Sequence, residues 1–280
     1  MNHDRRAEGI PPVTVNAAGI NTSYYEAGRG KSEPVLLLHG MSASADTFRE
    51  LMAALGQDHW TVAPDIPGFG DSGNMQPYTF PHLVDWLNTF LEKIEVPPAH
   101  FVGHSFGGAL AVSYALAHPE KARTLILLAP SVLRPGKYPE WLRKFAQSSI
   151  AEWILGLGVS ASRLMLNRQM RAAFYDPSGF EPSLWERRRR DYDRARASAA
   201  VLRASALHDV RDELDCITQP SCIIWGKNDP VLDSADAVVL NNLMPDSYTY
   251  LHLLPECGHL PHIEQEERVV DIITRFLADG

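Results

Sequence analysis

Gly103-His104-Ser105-Phe106-Gly107 is the stretch of this chain best suited to chemistry. It is a G-x-S-x-G pentapeptide. The strand-like run His100-Phe101-Val102 precedes it and a helix-like run from Gly108 to Ala117 follows. A serine on a tight strand-to-helix turn has a strained backbone and a hydroxyl that stands clear of the sheet. Glycines two residues to either side leave room where strand and helix cross. The helix start behind the serine offers free N–H groups and a partial positive charge to a developing oxyanion.

A serine hydroxyl is a poor nucleophile at neutral pH and needs a base within hydrogen-bond reach. The usual base is histidine, held in one tautomer by a carboxylate. With this kind of turn the chain order is serine, acid, histidine, the last two in loops after late strands. Asp229, in Trp225-Gly226-Lys227-Asn228-Asp229-Pro230, is the candidate acid; taken alone it also fits a turn before proline. Asp233 and Asp236 read as partners of the next helix start. His259, in Pro255-Glu256-Cys257-Gly258-His259-Leu260-Pro261, is the candidate base. His262 competes with it but falls in the first turn of a helix. Cys257 reads as a buried bystander, with no second His and acid pair placed for it. The 11 histidines are scattered and no C-x-x-C spacing occurs, so no metal and no cofactor is expected.

The elements that must position these residues alternate between strand and helix, which indicates a mostly parallel sheet covered on both faces. Val13–Val15 and Asn21–Tyr25 read as an opening hairpin. Val35–His39, Trp60–Ala63, Thr124–Ala129, Ser221–Trp225 and Ser247–Leu253 read as further strands. Helices are expected over Thr47–Leu55, Phe80–Lys93, Ala235–Leu243 and Pro261–Leu277. Asp65 to Ser72 is dense in turn residues and reads as a structural loop. From Pro130 to Asp215 no convincing strand occurs. Trp141–Phe145, Ile150–Leu157, Ser162–Phe174 and Leu184–Leu207 are helical in pattern and rich in aromatic and apolar residues, some of which would roof a pocket. Within this region Arg187-Arg188-Arg189-Arg190, flanked by Glu186 and Asp191, reads as a solvated helix face. One of these arginines binding a substrate carboxylate is the competing reading.

The chain has 280 residues, 45% of them hydrophobic and 21% charged, which suits one large α/β domain or one domain with an insertion. A net charge of −8 argues against nucleic acid and anionic membranes as main partners. No apolar run approaches the ~20 residues of a membrane span. Met1 to Arg6 is polar with no apolar stretch behind it, so no secretory signal is expected. Three cysteines, Cys216, Cys222 and Cys257, are too few for a disulfide framework, and a cytoplasmic location is expected.

Five segments now resemble the α/β-hydrolase superfamily, in particular its capped, esterase-like members. They are His39-Gly40, Asp65 to Ser72, Gly103 to Gly108, Gly226 to Pro230 and Gly258-His259, in the family's order. The resemblance covers nearly all of residues 13–280. It implies a mostly parallel eight-stranded sheet flanked by helices. A core of residues 1–129 and 216–280 would carry a helical cap, 130–215, inserted after the sixth strand. It further implies Ser105 as nucleophile, Asp229 as acid and His259 as base, with the Met41 and Phe106 N–H groups as the oxyanion hole. Serine, where related epoxide hydrolases and haloalkane dehalogenases carry aspartate, implies an acyl-enzyme. The expected partner is a small uncharged ester, acted on by a monomer or homodimer. Three alternatives remain: a C–C hydrolase of dienoic ring-cleavage products, a perhydrolase or haloperoxidase-like activity, and a small-molecule receptor with residual turnover. The C–C enzymes commonly carry asparagine where His104 stands.

Overall fold

The computed structural model describes residues 11–133, 171–245 and 249–279. Eight strands form one sheet: β1 (Val13–Ala17), β2 (Ile20–Ala27), β3 (Ser32–Leu38), β4 (His59–Pro64), β5 (Ala99–His104), β6 (Ala122–Leu128), β7 (Ser221–Gly226) and β8 (Thr249–Leu254). Their spatial order is β1-β2-β4-β3-β5-β6-β7-β8. The β1–β2 hairpin and the β2–β4 pair are antiparallel; every later pair is parallel.

The central parallel strands β3, β5, β6 and β7 are buried on both faces and read as largely apolar runs, while β1 and β8 at the edges are partly exposed. Within β3, Leu36 and Leu38 face a core layer built with Trp86, Phe90 and Leu110, while Val35 and Leu37 face a second layer with Phe48, Met52 and Ile273. The first layer is closed by α2 (Phe80–Lys93) and α3 (Phe106–Ala117), the second by α1 (Arg49–Leu55) and the last helix of the chain. In α2 the apolar residues recur at helical spacing, and Phe80, Leu83, Leu87, Phe90 and Leu91 are all buried.

Between β6 and β7 the described residues contain no strand. They form α4 (Pro182–Asp193) and α5 (Ser198–Leu207), where the sequence pattern predicts one helix over Leu184–Leu207. The break has a cause: the backbone N–H groups of Arg196 and Ala197 both turn to the Gly68 carbonyl of the core, at 2.8 and 3.1 Å. The expected helices at Trp141–Phe145 and Ile150–Leu157, and most of that at Ser162–Phe174, lie outside the described residues. After β7 comes α6 (Ala235–Leu243), with the expected bounds. The single closing helix expected from Pro261 is instead two, α7 (Pro261–Glu264) and α8 (Glu266–Asp279), separated at Gln265, whose φ of −134° and ψ of 53° are not helical.

In-register pairing lines up one edge of the sheet. Leu38 lies beside Gly103, His104 beside Leu128, and Gly226 beside Leu254. The loops after β3, β5, β7 and β8 therefore meet at the carboxyl ends of the strands, where open α/β sheets bind ligands. The tightest point on this edge is the β5–α3 crossing. A Cβ on Gly107 would overlap the Leu38 carbonyl, and one on Gly103 would lie 2.6 Å from Gly107 O and Gly108 Cα. Both neighbours are backbone, so neither can yield cheaply. Gly107→Ala is expected to destabilise the fold by about 1–3 kcal/mol or more. A urea midpoint equal to that of the unsubstituted protein would refute this.

Candidate active site

Ser105 stands between β5 and α3 with φ 50° and ψ −116°, a conformation costing a non-glycine residue of order 1–3 kcal/mol. The surrounding backbone holds it there. Its N–H donates to Leu128 O in β6 at 3.0 Å. Its carbonyl accepts from the N–H groups of Gly108 (3.0 Å), Ala109 (3.2 Å) and Ser131 (2.9 Å). The Ser105 hydroxyl makes no helix-capping bond, and the residue lines a cavity of about 250 Å³.

Fixing the Ser105 carbonyl also aims the next amide. The peptide unit is planar and trans, so the Phe106 N–H points opposite the Ser105 carbonyl. A matching device operates after β3. The Gly40 carbonyl accepts from His39 Nδ1–H at 2.8 Å and from Ala43 N–H at 3.3 Å, which aims the Met41 N–H the other way. His39 Nε2 in turn accepts from Ile66 N–H at 2.9 Å, which fixes the tautomer. Burial pushes the His39 pKa down to about 4, so the ring stays neutral as both bonds require. Met41, Phe106 and Ser105 all border the same cavity.

Asp229 and His259, expected partners from the sequence, are brought together across 30 residues of chain. His259 Nδ1–H donates to Asp229 Oδ2 at 2.8 Å. The carboxylate is held on every side: Oδ2 also accepts from Trp225 Nε1–H at 3.0 Å, and Oδ1 from Val231 N–H at 2.8 Å and Leu232 N–H at 3.0 Å. A carboxylate with four donors cannot rotate, so it fixes the imidazole with Nδ1 protonated and Nε2 bearing the lone pair. The link to the serine turn is His104. Its Nε2–H donates to the His259 carbonyl at 2.8 Å, and the two rings lie 4.9 Å apart. His104 is the second residue of the pentapeptide, yet nothing in the sequence assigns it this bond.

The competitors fall away. His262 is buried in α7, bonded through Nε2 to Thr47 Oγ1 at 3.2 Å with its ring tilted against Phe48 at 5.0 Å, and burial pushes its pKa down to about 3. Cys257 is buried and its thiol is pushed up to about 12, mainly by burial. Asp233 accepts from Ala235 N–H at 2.9 Å, as a helix-start residue does. Asp65 is structural: Oδ1 takes the Ala45 N–H and Oδ2 the Asp71 N–H, and burial raises its pKa to about 6. Among the described residues no group of three or more His, Cys, Asp or Glu could hold a metal ion. No helix among them is long and apolar enough to cross a membrane.

Helices α4 and α5 lie over this edge. Val201, Leu202 and Ala206 of α5 line the cavity with Phe80, Val231 and Leu232, giving it mostly apolar walls. Ser131, Ser205 and His208 are polar exceptions, and His208 stacks on Phe80 at 3.6 Å. Ser42 and Ser198 share a hydrogen bond at 3.0 Å, and Ser44 Oγ donates to Asp191 Oδ1 at 2.6 Å. The expected solvated arginine face holds for Arg189 and Arg190 only. Arg187 pairs with Glu50 at 2.9 Å and Asp46 at 3.8 Å. Arg188 is buried, its guanidinium 5.6 Å from the Phe174 ring centre and its Nε without a partner. The correction follows from helix geometry: residues one position apart point about 100° from each other, so one of four consecutive arginines must face the core side.

The alpha/beta hydrolase fold family matches residues 33–266. A 2-hydroxymuconate semialdehyde hydrolase of Pseudomonas sp. (strain CF600) is 27% identical, with 94% of this chain and 93% of that protein covered. A monoacylglycerol lipase of Xenopus laevis is 27% identical, covering 98% of this chain and 84% of its own length. The crystal structure of a meta-cleavage product hydrolase, CumD, superposes with a TM-score of 0.78 at 24% identity, over 96% of this chain and 98% of that one, a likeness of fold.

Asp191 yields a pH prediction. Burial raises its pKa from 3.8 to about 7, so between those values the folded state binds the proton more tightly than the unfolded state. Stability from this group is therefore present at low pH and lost as pH rises towards 7. Buried His39 and His262, with lowered pKa values, act in the opposite sense. Asp191→Asn keeps an acceptor for Ser44 and removes the titration. The stability difference between variant and parent, from urea titrations at pH 5 and pH 7, should shift in the variant's favour at pH 7. An equal difference at both values would show that Asp191 does not carry this dependence.

Proposed function

The chain belongs to the α/β-hydrolase fold family, and from that premise we propose that it is a serine hydrolase cleaving small to medium uncharged carboxylic esters. The observation that carries this reading is the 2.8 Å His259–Asp229 bond, tied through His104 to a serine at positive φ that lines the cavity. In this proposal His259 Nε2 takes the Ser105 proton as the hydroxyl attacks the ester carbonyl. The oxyanion rests on the Met41 and Phe106 N–H groups, whose peptides are already fixed by their carbonyl sides. His259 then gives its proton to the leaving alcohol, and an acyl-enzyme remains on Ser105. Water, deprotonated by His259, releases the acid and restores the hydroxyl. The core is residues 1–129 and 216–280, with 130–215 as a cap whose apolar α5 side chains favour an uncharged acyl group.

A second reading has its own support. Arg188 is a buried guanidinium whose Nε has no hydrogen-bond partner, with Tyr192 and Asp191 as its polar neighbours, and a 2-hydroxy-6-oxo-2,4-heptadienoate hydrolase is among the similar proteins. Against it stands His104 in place of asparagine.

Turnover of p-nitrophenyl esters of graded chain length tests the first reading. Ser105→Ala should lose at least about 10³-fold in kcat, and Asp229→Asn about 10⁴-fold, with the fold intact by circular dichroism. Full turnover by Ser105→Ala would refute the proposal. Dienoate cleavage abolished by Arg188→Gln, with negligible ester turnover in the parent, would establish the second reading instead.

A further inference from the structure

Glu264 ends α7, and its side chain folds back to the loop that carries His259. Oε2 accepts from Gly258 N–H at 3.0 Å and Oε1 from Leu260 N–H at 3.1 Å, the amides on either side of His259. The same Oε2 accepts from Tyr175 N–H at 2.8 Å, across 89 residues of chain, in the connection between β6 and β7. The His259 N–H itself donates to Ala173 O at 2.8 Å in that connection. The approach is close enough to demand glycine at 258: a Cβ there would lie 2.7 Å from Ala173 O and Tyr175 N and 2.9 Å from Glu264 Oε1.

We propose that Glu264 is a positioning residue that locks residues 173–175 and the His259 loop into one unit, so that the connection between β6 and β7 sets the aim of the general base. The inference rests on the serine-hydrolase reading for its kinetic consequence. Three N–H donors converge on one carboxylate, and charge-assisted bonds of this kind are about twice as strong as neutral ones. Asp229 fixes the imidazole at Nδ1 and His104 fixes the carbonyl of the same residue. Glu264 supplies what neither does, the two flanking amides. A helix-cap role would require only the Leu260 bond; the Gly258 and Tyr175 bonds reach outside α7.

The full chain with Glu264→Gln and Glu264→Ala tests this. Glutamine keeps one acceptor oxygen for Tyr175 and Gly258 but turns an NH₂ group towards the Leu260 N–H; alanine removes all three acceptors. With p-nitrophenyl acetate, kcat should fall about tenfold in the first and about 100-fold in the second, since small misplacements of a reacting group cost rates of this order. KM should stay within about twofold. The low-field proton resonance of the His259–Asp229 bond should shift or broaden in both variants, at temperatures where circular dichroism shows them folded. Unchanged kcat and resonance in the folded glutamine variant, or a loss of rate that only follows the folded fraction, would overturn the proposal. A parent protein that neither turns over esters nor is labelled at Ser105 by a fluorophosphonate would overturn the hydrolase reading. The resonance alone then decides for or against Glu264.

Discussion

Everything at this edge of the sheet depends on how closely α3 crosses β5. The backbone can pass from strand to helix there only because Gly103 and Gly107 present no side chain to each other or to β3. The passage forces Ser105 to φ 50°, and β6 and the segment after it hold it there through Leu128 O and Ser131 N–H. The strain is thus shared by three adjacent strands. A serine elsewhere on the sheet would relax; this one has no conformation to relax into.

The same economy recurs in the two amides beside it. Neither Met41 nor Phe106 needs a side chain of a particular chemistry, because each N–H is aimed by what binds the carbonyl of its own peptide. Specific side chains are needed one step back, at His39, and at the packing that keeps its ring neutral. The two amides that border the cavity are therefore oriented mainly by backbone, which reorganises less than side chains do.

Strand and helix positions were largely legible in the sequence because periodicity records burial. The predicted spans of α2 and α6 match the observed ones, and Ser105, Asp229 and His259 all lie on the edge their chain order implied. What could not be read were stops and contacts imposed from far away. Helices α4 and α5 are separated because Gly68 O claims two amides, and α7 and α8 part at Gln265 without any proline or glycine to signal it. Burial of Arg188 was hidden because four like residues in a row carry no periodicity. Glu264 carries no distinguishing signal in the sequence, because the three amides around it come from residues 175, 258 and 260, which only the fold brings together.

The parallel order of the central strands has a consequence for how the molecule comes into being. His104 and the carbonyl it binds are 155 residues apart, and the loop after β8 is placed beside the serine turn through β7, which pairs with both β6 and β8. On the ribosome the first six strands, serine turn included, are therefore synthesised well before the segment that bears His259. The edge that brings Ser105 and His259 to the same end of the sheet can therefore be completed only once nearly the whole domain has been made.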